Sequence, residues 1–453
     1  MNRMTLRHQP FAFASSDELR EKARSLGCGI PFQDDISPLF QPLAIGGRTV
    51  RNRLAVQPME GCDAGPDGSP GELTFRRYRR YAEGGSALIW FEATSVAAEG
   101  RSNPRQLFLH RGSLDGFKRL VETVRAAAGR AFGASGDVFC VLQLTHSGRY
   151  SRPRGEPRPR VGSLNTLLDS PFRDVRLLGD DELDRLQDDF MAAGLLAVAA
   201  GFDAVDIKAC HGYLVHDLLT ARERKNSRYG GSLDNRMSFL TGVVRRIRAE
   251  VPVILTAVRL SAYDGLPCPP GFGAAEDGSP QVELSEPRQV LDKLVEKDCS
   301  LVNITAGIPA FNPHLGRPFD RPLPGAEPPD EHPLQGVDRL LRLTAGLQKS
   351  LPGLPLVGTG YSWLRRFWPH VGASVVARGG AALIGLGRSS FAYPDAPRDL
   401  MDRGKVDPNR VCIACSRCTE LLRGGRLCGC PVRDREVYGR EYRSLTGRDA
   451  VSD

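Results

Sequence analysis

The sequence predicts a (β/α)8 TIM barrel carrying an N-terminal extension and a cysteine-rich C-terminal tail. Three observations carry that expectation. Eight short β-rich runs alternate with helical stretches, no run leads into the G-x-G-x-x-G turn of a dinucleotide fold, and five of the eleven cysteines fall between Cys412 and Cys430. Alternating strands and helices imply a parallel sheet covered on both faces, and over this length a closed barrel is the economical arrangement. An open doubly wound sheet is the alternative.

The expected division is an extension over residues 1–37, a barrel over 38–405 and a tail over 406–453. The first forty residues are polar and broken by Pro31 and Pro38, with one short helix expected near Ser16 to Leu26. Strands follow at LAVQP (54–58), ALIWF (87–91), VFCVLQL (138–144), AVDI (204–207), PVILTAVRL (252–260), SLVNIT (300–305), LPLVGT (354–359) and ALIGL (382–386). Residues 180–201 open with acidic side chains suited to a helix N-terminus and set Leu183, Leu186 and Phe190 on one face; residues 232–251 repeat the helical period. Three long loops rich in Pro, Gly and Arg, at 150–179, 263–286 and 309–333, each follow a strand. That places them on the C-terminal face of a barrel as candidate lids, with disordered insertions as the plain alternative.

With 453 residues, 41% hydrophobic and 25% charged, the chain can bury a large core. Its opening, MNRMTLRHQPFAFASSDELR, holds no apolar run long enough for a signal peptide, and no later stretch approaches a membrane span, so a cytoplasmic location is expected. The net charge of +8 rests on 61 basic residues, only eight of them lysine, with the arginines scattered rather than gathered into a stripe. No aromatic-interleaved basic run accompanies them, so nucleic acid is not an expected partner. An anionic substrate or a cofactor phosphate fits the charge balance.

The tail reads CIACSRCTELLRGGRLCGC. Cys412, Cys415 and Cys418 are spaced so that one turn of backbone can aim three thiolates at a single iron–sulfur cluster, and Cys430 returns as the fourth ligand. Cys428 is the alternative fourth. Structural zinc more often uses two separated C-x2-C knuckles, and a disulfide framework is disfavoured by the odd cysteine count and the missing secretory signal.

In a barrel, polar residues just past each strand face the mouth. Here they are Pro58, Met59 and Glu60 after the first strand, Glu92 after the second, Gln143 and His146 at the third, and Lys208, His211 and Tyr213 at the fourth. Arg259 ends the fifth, Gly358, Thr359 and Gly360 the seventh, and Gly387 and Arg388 the eighth. Glycine turns expose backbone N–H groups, and an arginine beside them adds a fork matched to phosphate oxygens.

From Pro38 to Cys430 the chain resembles the old yellow enzyme family of FMN-dependent oxidoreductases. NRLAVQPMEG (52–61), LQLTHSGRY (142–150), FDAVDIKACHGYLVHDLLT (202–220), RYGGSLDNRMSFL (228–240) and IGLGR (384–388) carry the likeness. With the cysteine tail it is most similar to the iron–sulfur branch that includes 2,4-dienoyl-CoA reductase and trimethylamine dehydrogenase. The resemblance implies that Pro58, Met59 and Glu60 line the flavin edge, Gln143 bonds its pyrimidine ring, Arg259 sits by N1 and O2, and Glu92 lies nearby. It implies a phosphate held by Gly360, Gly387 and Arg388, and a 4Fe–4S cluster on Cys412, Cys415, Cys418 and Cys430. Two departures stand out: Lys208 replaces a histidine common in the family, and Tyr361 falls where several relatives place a phosphate-binding arginine.

The activity so implied is reduction of an activated C=C bond in a small enone or enoyl thioester, with Lys208 and His211 at the carbonyl oxygen and Tyr213 as proton donor. Relatives with the cluster often continue into dinucleotide-binding domains, whereas 23 residues follow Cys430 in this sequence. Electrons are therefore expected from a separate flavoprotein or ferredoxin, or from NAD(P)H at the mouth. The competing expectations are a dehydrogenase that oxidises a small amine and exports electrons through the cluster, and a non-catalytic zinc-tailed barrel. A homo-oligomer is left open.

Overall fold

The computed structural model describes residues 8–133 and 137–448; residues 1–7 of the expected extension, residues 134–136 and residues 449–453 of the expected tail lie outside the described residues. Every expected run becomes a strand: β1 (Leu54–Val56), β2 (Leu88–Ser95), β3 (Phe139–Thr145), β4 (Ala204–Ala209), β5 (Leu255–Ser261), β6 (Leu301–Thr305), β7 (Leu356–Gly358) and β8 (Leu383–Leu386). They pair in parallel in that order, and β8 closes on β1 through Ile384↔Leu54, Gly385↔Ala55 and Leu386↔Val56. The runs are nearly continuous in apolar residues because both faces are covered, by barrel interior on one side and helices on the other.

Each strand is followed by a barrel helix, some with a shorter helix before it: α1 (Glu72–Glu83), α2 (Leu114–Phe132), α3 (Asp180–Ala200), α4 (Leu233–Glu250), α5 (Ser285–Val295), α6 (Pro333–Ser350), α7 (Trp368–Ala377) and α8 (Ala396–Arg403). Local chemistry sets their ends. The side chain of Glu182 accepts from Gly179 N–H at the start of α3, and Gly201 stops that helix in a left-handed conformation. Ser232 Oγ accepts from Asn235 N–H to open α4, and Pro333 occupies the first turn of α6.

Strand boundaries shift by one to four residues from expectation, most of all at two ends. β5 begins at Leu255 rather than Pro252, since proline brings no N–H and Val253 is 75% exposed. β2 runs on to Ser95 through a register shift between Phe91 and Thr94, a bulge that re-aims Glu92.

The N-terminal end of the barrel is plugged. A hairpin of Leu43–Ile45 and Arg48–Val50 packs Ile45 and Val50 into one apolar cluster with Ala55, Trp90, Val141 and Ala257, to which all eight strands contribute. The other end is built from the three long loops, and these are ordered. Residues 150–179 hold a paired Arg160–Val161 and Arg176–Leu177 with a short helix, Thr166–Asp169. Leu168, Leu266 and Ile308, from or beside the three loops, share a small cluster with Tyr150.

The N-terminal helix Ser16–Ser25 packs Leu19 and Ala23 against Leu334, Val337 and Trp363. The cysteine tail folds back onto the barrel. Asp434 accepts from Arg76 and Arg80 on α1, and Cys428 N–H donates to Gly61 O. Among the described residues no helix is long and apolar enough to cross a membrane.

Candidate active site

The richest set of polar side chains stands where β4 ends. Lys208 is buried on the last turn of strand; its Nζ lies 3.9 Å from Glu60 Oε1 and 3.5 Å from the centroid of the Tyr213 ring. An ammonium over an aromatic face is attracted by the ring quadrupole. Burial pulls the lysine below its ordinary pKa, with Glu60 opposing.

His211 adopts φ +66°, an uncommon left-handed conformation for a residue with a side chain. Its N–H donates to Ser261 Oγ and its Nε2 sits 3.2 Å from Thr305 Oγ1, so β5 and β6 hold the turn in place. Burial, then the charges of Arg259 and Lys208, hold it well below the usual imidazole range, so it is neutral. Tyr213 starts the short helix Leu214–Leu219 and lies 5.9 Å from Tyr150, centroid to centroid. Burial and the nearby Glu60 push its phenol well up, which keeps the proton on the oxygen at neutral pH.

Across β3 to β5 runs a second network. Asp206 accepts from Gln143 Nε2 at 2.6 Å, Trp90 Nε1 at 2.8 Å and Arg259 N–H at 2.6 Å. The strand-end rule does not single out Asp206 or Trp90, because both point inward from mid-strand. A carboxylate inside a buried strand is itself the signal, since it must find donors. Gln57 and Asn303 form a similar unexpected pair, each donating to the other's oxygen.

Glu92 is engaged by the protein itself. Its carboxylate accepts from Arg77 Nη2 at 2.5 Å and Gly61 N–H at 2.7 Å, and Arg77 also binds Asp63. Burial alone would lower the Arg77 guanidinium, but Asp63 and Glu92 hold it well above the usual range. The pair fixes residues 60–63, and Gly61 is required there: a Cβ would lie 2.2 Å from the Arg77 guanidinium.

On the opposite arc, β7 and β8 end in turns. Gly360 adopts φ +100° with Leu340 packed close beneath it, a position closed to side chains by conformation and by space. Gly387 lies against Met59, so the ends of β8 and β1 meet. Arg388 Nη2 donates to Pro318 O at 2.6 Å. Pro58 is buried, Met59 and Glu60 are half-buried, and His146 is buried with its ring nitrogen Nδ1 accepting from Gly148 N–H.

The residues fit a phosphorylated flavin on one structural test. Arg259 Nε, Thr359 Oγ1 and Arg388 Nη1 are all buried without a hydrogen-bond partner. Buried polar atoms ordinarily find partners, and these three lie near the ends of β5, β7 and β8, where a ring and a phosphate would need donors. The β3–β5 arc and the β7–β8 arc face each other across the mouth, as an elongated ligand requires.

In the tail, Cys412, Cys415, Cys418 and Cys430 line one small cavity together with Arg388 and Phe391. Cys428 does not; its Sγ donates to Cys418 O instead. Backbone N–H groups of Ala414, Arg417 and Arg433 are directed at the sulfurs of Cys412, Cys415 and Cys430. Burial raises the thiols of Cys412 and Cys430, and pushes Cys415 up to about 11. Among the described residues no three Cys, His, Asp or Glu side chains converge tightly enough to hold a single metal ion.

Comparison with known proteins agrees with this architecture. The chain is 26% identical over 389 residues to the NADH oxidase of Thermoanaerobacter brockii, covering 83% of this chain and 52% of the relative. It is 28% identical over 415 residues to the dimethylamine dehydrogenase of Hyphomicrobium sp. (strain x), covering 89% of this chain and 51% of the relative. The chain thus spans about half the length of these relatives. A solved 2-naphthoyl-CoA reductase complex superposes with a TM-score of 0.70 at 21% identity over 90% of this chain and 58% of that one, which shows the shared fold. A family model matches residues 38–308, more than half of the sequence, and the chain belongs to the NADH:flavin oxidoreductase / NADH oxidase family.

Proposed function

We propose that the chain is an FMN- and 4Fe–4S-dependent oxidoreductase that reduces an activated C=C bond, such as that of an enone or enoyl thioester. In this reading residues 38–405 are the flavin-binding barrel and residues 406–453 the cluster tail. Gln143 and Arg259 hold the ring, Pro58, Met59 and Glu60 line its edge, and Gly360, Gly387 and Arg388 take the phosphate. When bound, the flavin supplies hydride transfer.

The observation that carries the reading is the placement of Lys208, His211 and Tyr213 at one strand end. As hydride reaches the β-carbon of the substrate, negative charge grows on the carbonyl oxygen. The Lys208 ammonium and the neutral His211 ring stand as donors to it, in a desolvated site where such contacts are strongest. Tyr213 keeps its proton until it is needed and gives it to the α-carbon, balancing the hydride. The ammonium over its ring stabilises the phenolate left behind.

For the tail, the N–H groups aimed at three sulfurs support a cluster of thiolates, since such bonds stabilise sulfur-borne charge. Three cysteines spaced two residues apart, with a fourth returning later, favour a cluster over the two separated knuckles usual for zinc. A separate flavoprotein or ferredoxin docking near the tail, or NAD(P)H at the mouth, would supply electrons.

Anaerobic reduction followed by mixing with an enone tests the chemistry. Tyr213→Phe should slow reoxidation about a hundredfold or more while leaving flavin reduction intact. Equal loss in both half-reactions rejects the donor role. Similarity to dimethylamine dehydrogenase and the Tyr150–Tyr213 pair favour a second reading, oxidation of a small amine. The buried Lys208 charge opposes a cationic guest, and bleaching of the flavin by dimethylamine in the absence of an enone would reverse the order.

A further inference from the structure

Lys208 is held differently from an ammonium kept for its charge. Its Nζ offers three donors, yet among the described residues no protein group accepts a hydrogen bond from it. Glu60, the nearest carboxylate, stops at 3.9 Å, and the other contact is the face of the Tyr213 ring. The side chain is 6% exposed, so water replaces little of what is missing. Its register partner on β5 is a second cation, Arg259. Burial pulls the lysine's proton affinity down, Glu60 opposes, and Arg259 adds to the fall. A lysine desolvated beside another cation is the setting in which an amine becomes a nucleophile.

A base and an acid flank it. Ser102 Oγ donates to Glu60 Oε2 at 3.0 Å, which steadies that carboxylate with Oε1 toward the lysine. Beneath the amine, the Tyr213 phenol keeps its proton. Condensation of an amine with a carbonyl needs both, a base for the ammonium proton and an acid for the oxygen that departs. The turn below Lys208 is itself fixed, since His211 N–H donates to Ser261 Oγ and Gly212 N–H donates to His216 Nδ1 at 2.9 Å. Tyr213 is therefore in place before any guest arrives.

We propose that Lys208 is a covalent catalytic residue: it condenses with the carbonyl carbon of a conjugated ketone or aldehyde and holds it as an iminium while the C=C bond is reduced. The inference rests on the ene-reduction reading above and narrows its substrate, because a thioester would acylate the amine instead. Glu60 takes one proton from the ammonium, the freed amine bonds to the carbonyl carbon, and Tyr213 relays a second proton from nitrogen to oxygen. Glu60 then returns the first proton to that oxygen, the C–O bond breaks and water leaves. The nitrogen is cationic before and after. Hydride from the reduced flavin adds to the β-carbon, and the C=C electron pair shifts to leave a neutral enamine nitrogen, a deeper sink than a hydrogen bond to oxygen. Tyr213 protonates the α-carbon, water hydrolyses the saturated iminium back to ketone and ammonium, and a solvent proton restores the phenol.

The carbonyl oxygen reports the step. The holoenzyme, reduced with dithionite under nitrogen, would turn over cyclohexenone in heavy-oxygen water, with an enzyme-free control for spontaneous exchange. The saturated ketone should carry one heavy oxygen for each turnover, as read by mass spectrometry. Separately, oxidised holoenzyme treated with cyclohexenone and cyanoborohydride should gain the mass of a reduced adduct on the peptide that bears Lys208. Lys208→Arg keeps the charge but has no amine to condense. Its adduct should vanish, the heavy oxygen in its product should fall to the control level, and enone turnover should drop about a hundredfold while flavin content holds.

A saturated ketone from the wild type that keeps its original oxygen overturns the covalent step and leaves enone reduction standing. So does a wild-type protein that yields no adduct at Lys208. Both measurements decide the matter whether or not the variant folds. Undiminished turnover in Lys208→Arg with normal flavin content marks a residue that supplies charge alone, and an equal adduct in that variant places the amine elsewhere; each overturns the proposal. Wild-type holoenzyme that reduces no enone removes the ene-reduction reading itself, a result distinct from each of these.

Discussion

At the scale of single residues, Asp206 organises the β3–β5 arc by accepting from Gln143, Trp90 and Arg259 together. Burial raises its pKa from 3.8 to about 6, against the pull of those donors. The folded protein therefore holds this proton more tightly than the unfolded chain, so the contribution to stability is full below about pH 4. It is lost as pH rises through 6. Two units correspond to about 3 kcal/mol. Asp217, also raised to about 6, adds to the same slope. In urea unfolding from pH 4 to pH 7, the stability of Asp206→Asn relative to the wild type should rise with pH, because the variant lacks this group's loss; a difference that does not change with pH would count against the assignment. Gln143 and Arg259 were legible in the sequence because strand ends face a barrel's mouth. Asp206 was not, because a lone acid inside AVDI carries no mark of which donors will meet it.

At the scale of elements, the strands were legible because a parallel barrel demands apolar runs of one length at even spacing. The departures came from backbone chemistry: the proline before β5 and the bulge in β2. The docking of the tail could not be foreseen, since Arg76 and Arg80 meet an aspartate more than 350 residues later in an arginine-rich chain. Asp434 is largely buried and its partners are half-exposed, so the contact is worth about 1–2 kcal/mol. Asp434→Asn should speed amide exchange and proteolysis in the tail while the barrel's strands keep their protection; uniform loss across the chain would mean that the tail does not open on its own. The cysteine choice is testable in the same element. Cys428→Ser should leave iron content after anaerobic reconstitution unchanged, because its thiol points to Cys418 O and away from the shared cavity. Cys430→Ser should lower it; the reverse result would exchange their roles.

At the scale of the whole molecule, the order of elements, the closure of β8 on β1 and the placement of the long loops all follow from a sequence that alternates two periods. The packing of the N-terminal helix on α6 does not, because a short amphipathic helix carries no address for the surface it covers.

The hairpin that plugs the barrel has a kinetic corollary. With the floor sealed by Ile45 and Val50 beneath a layer drawn from all eight strands, organic reactants reach the interior through the mouth and must take turns there. Under the proposed function, current delivered through the sulfur-bearing tail would need no doorway. Such a chain would be recharged while its guest is still seated, freeing turnover from the alternation that a single entrance otherwise imposes.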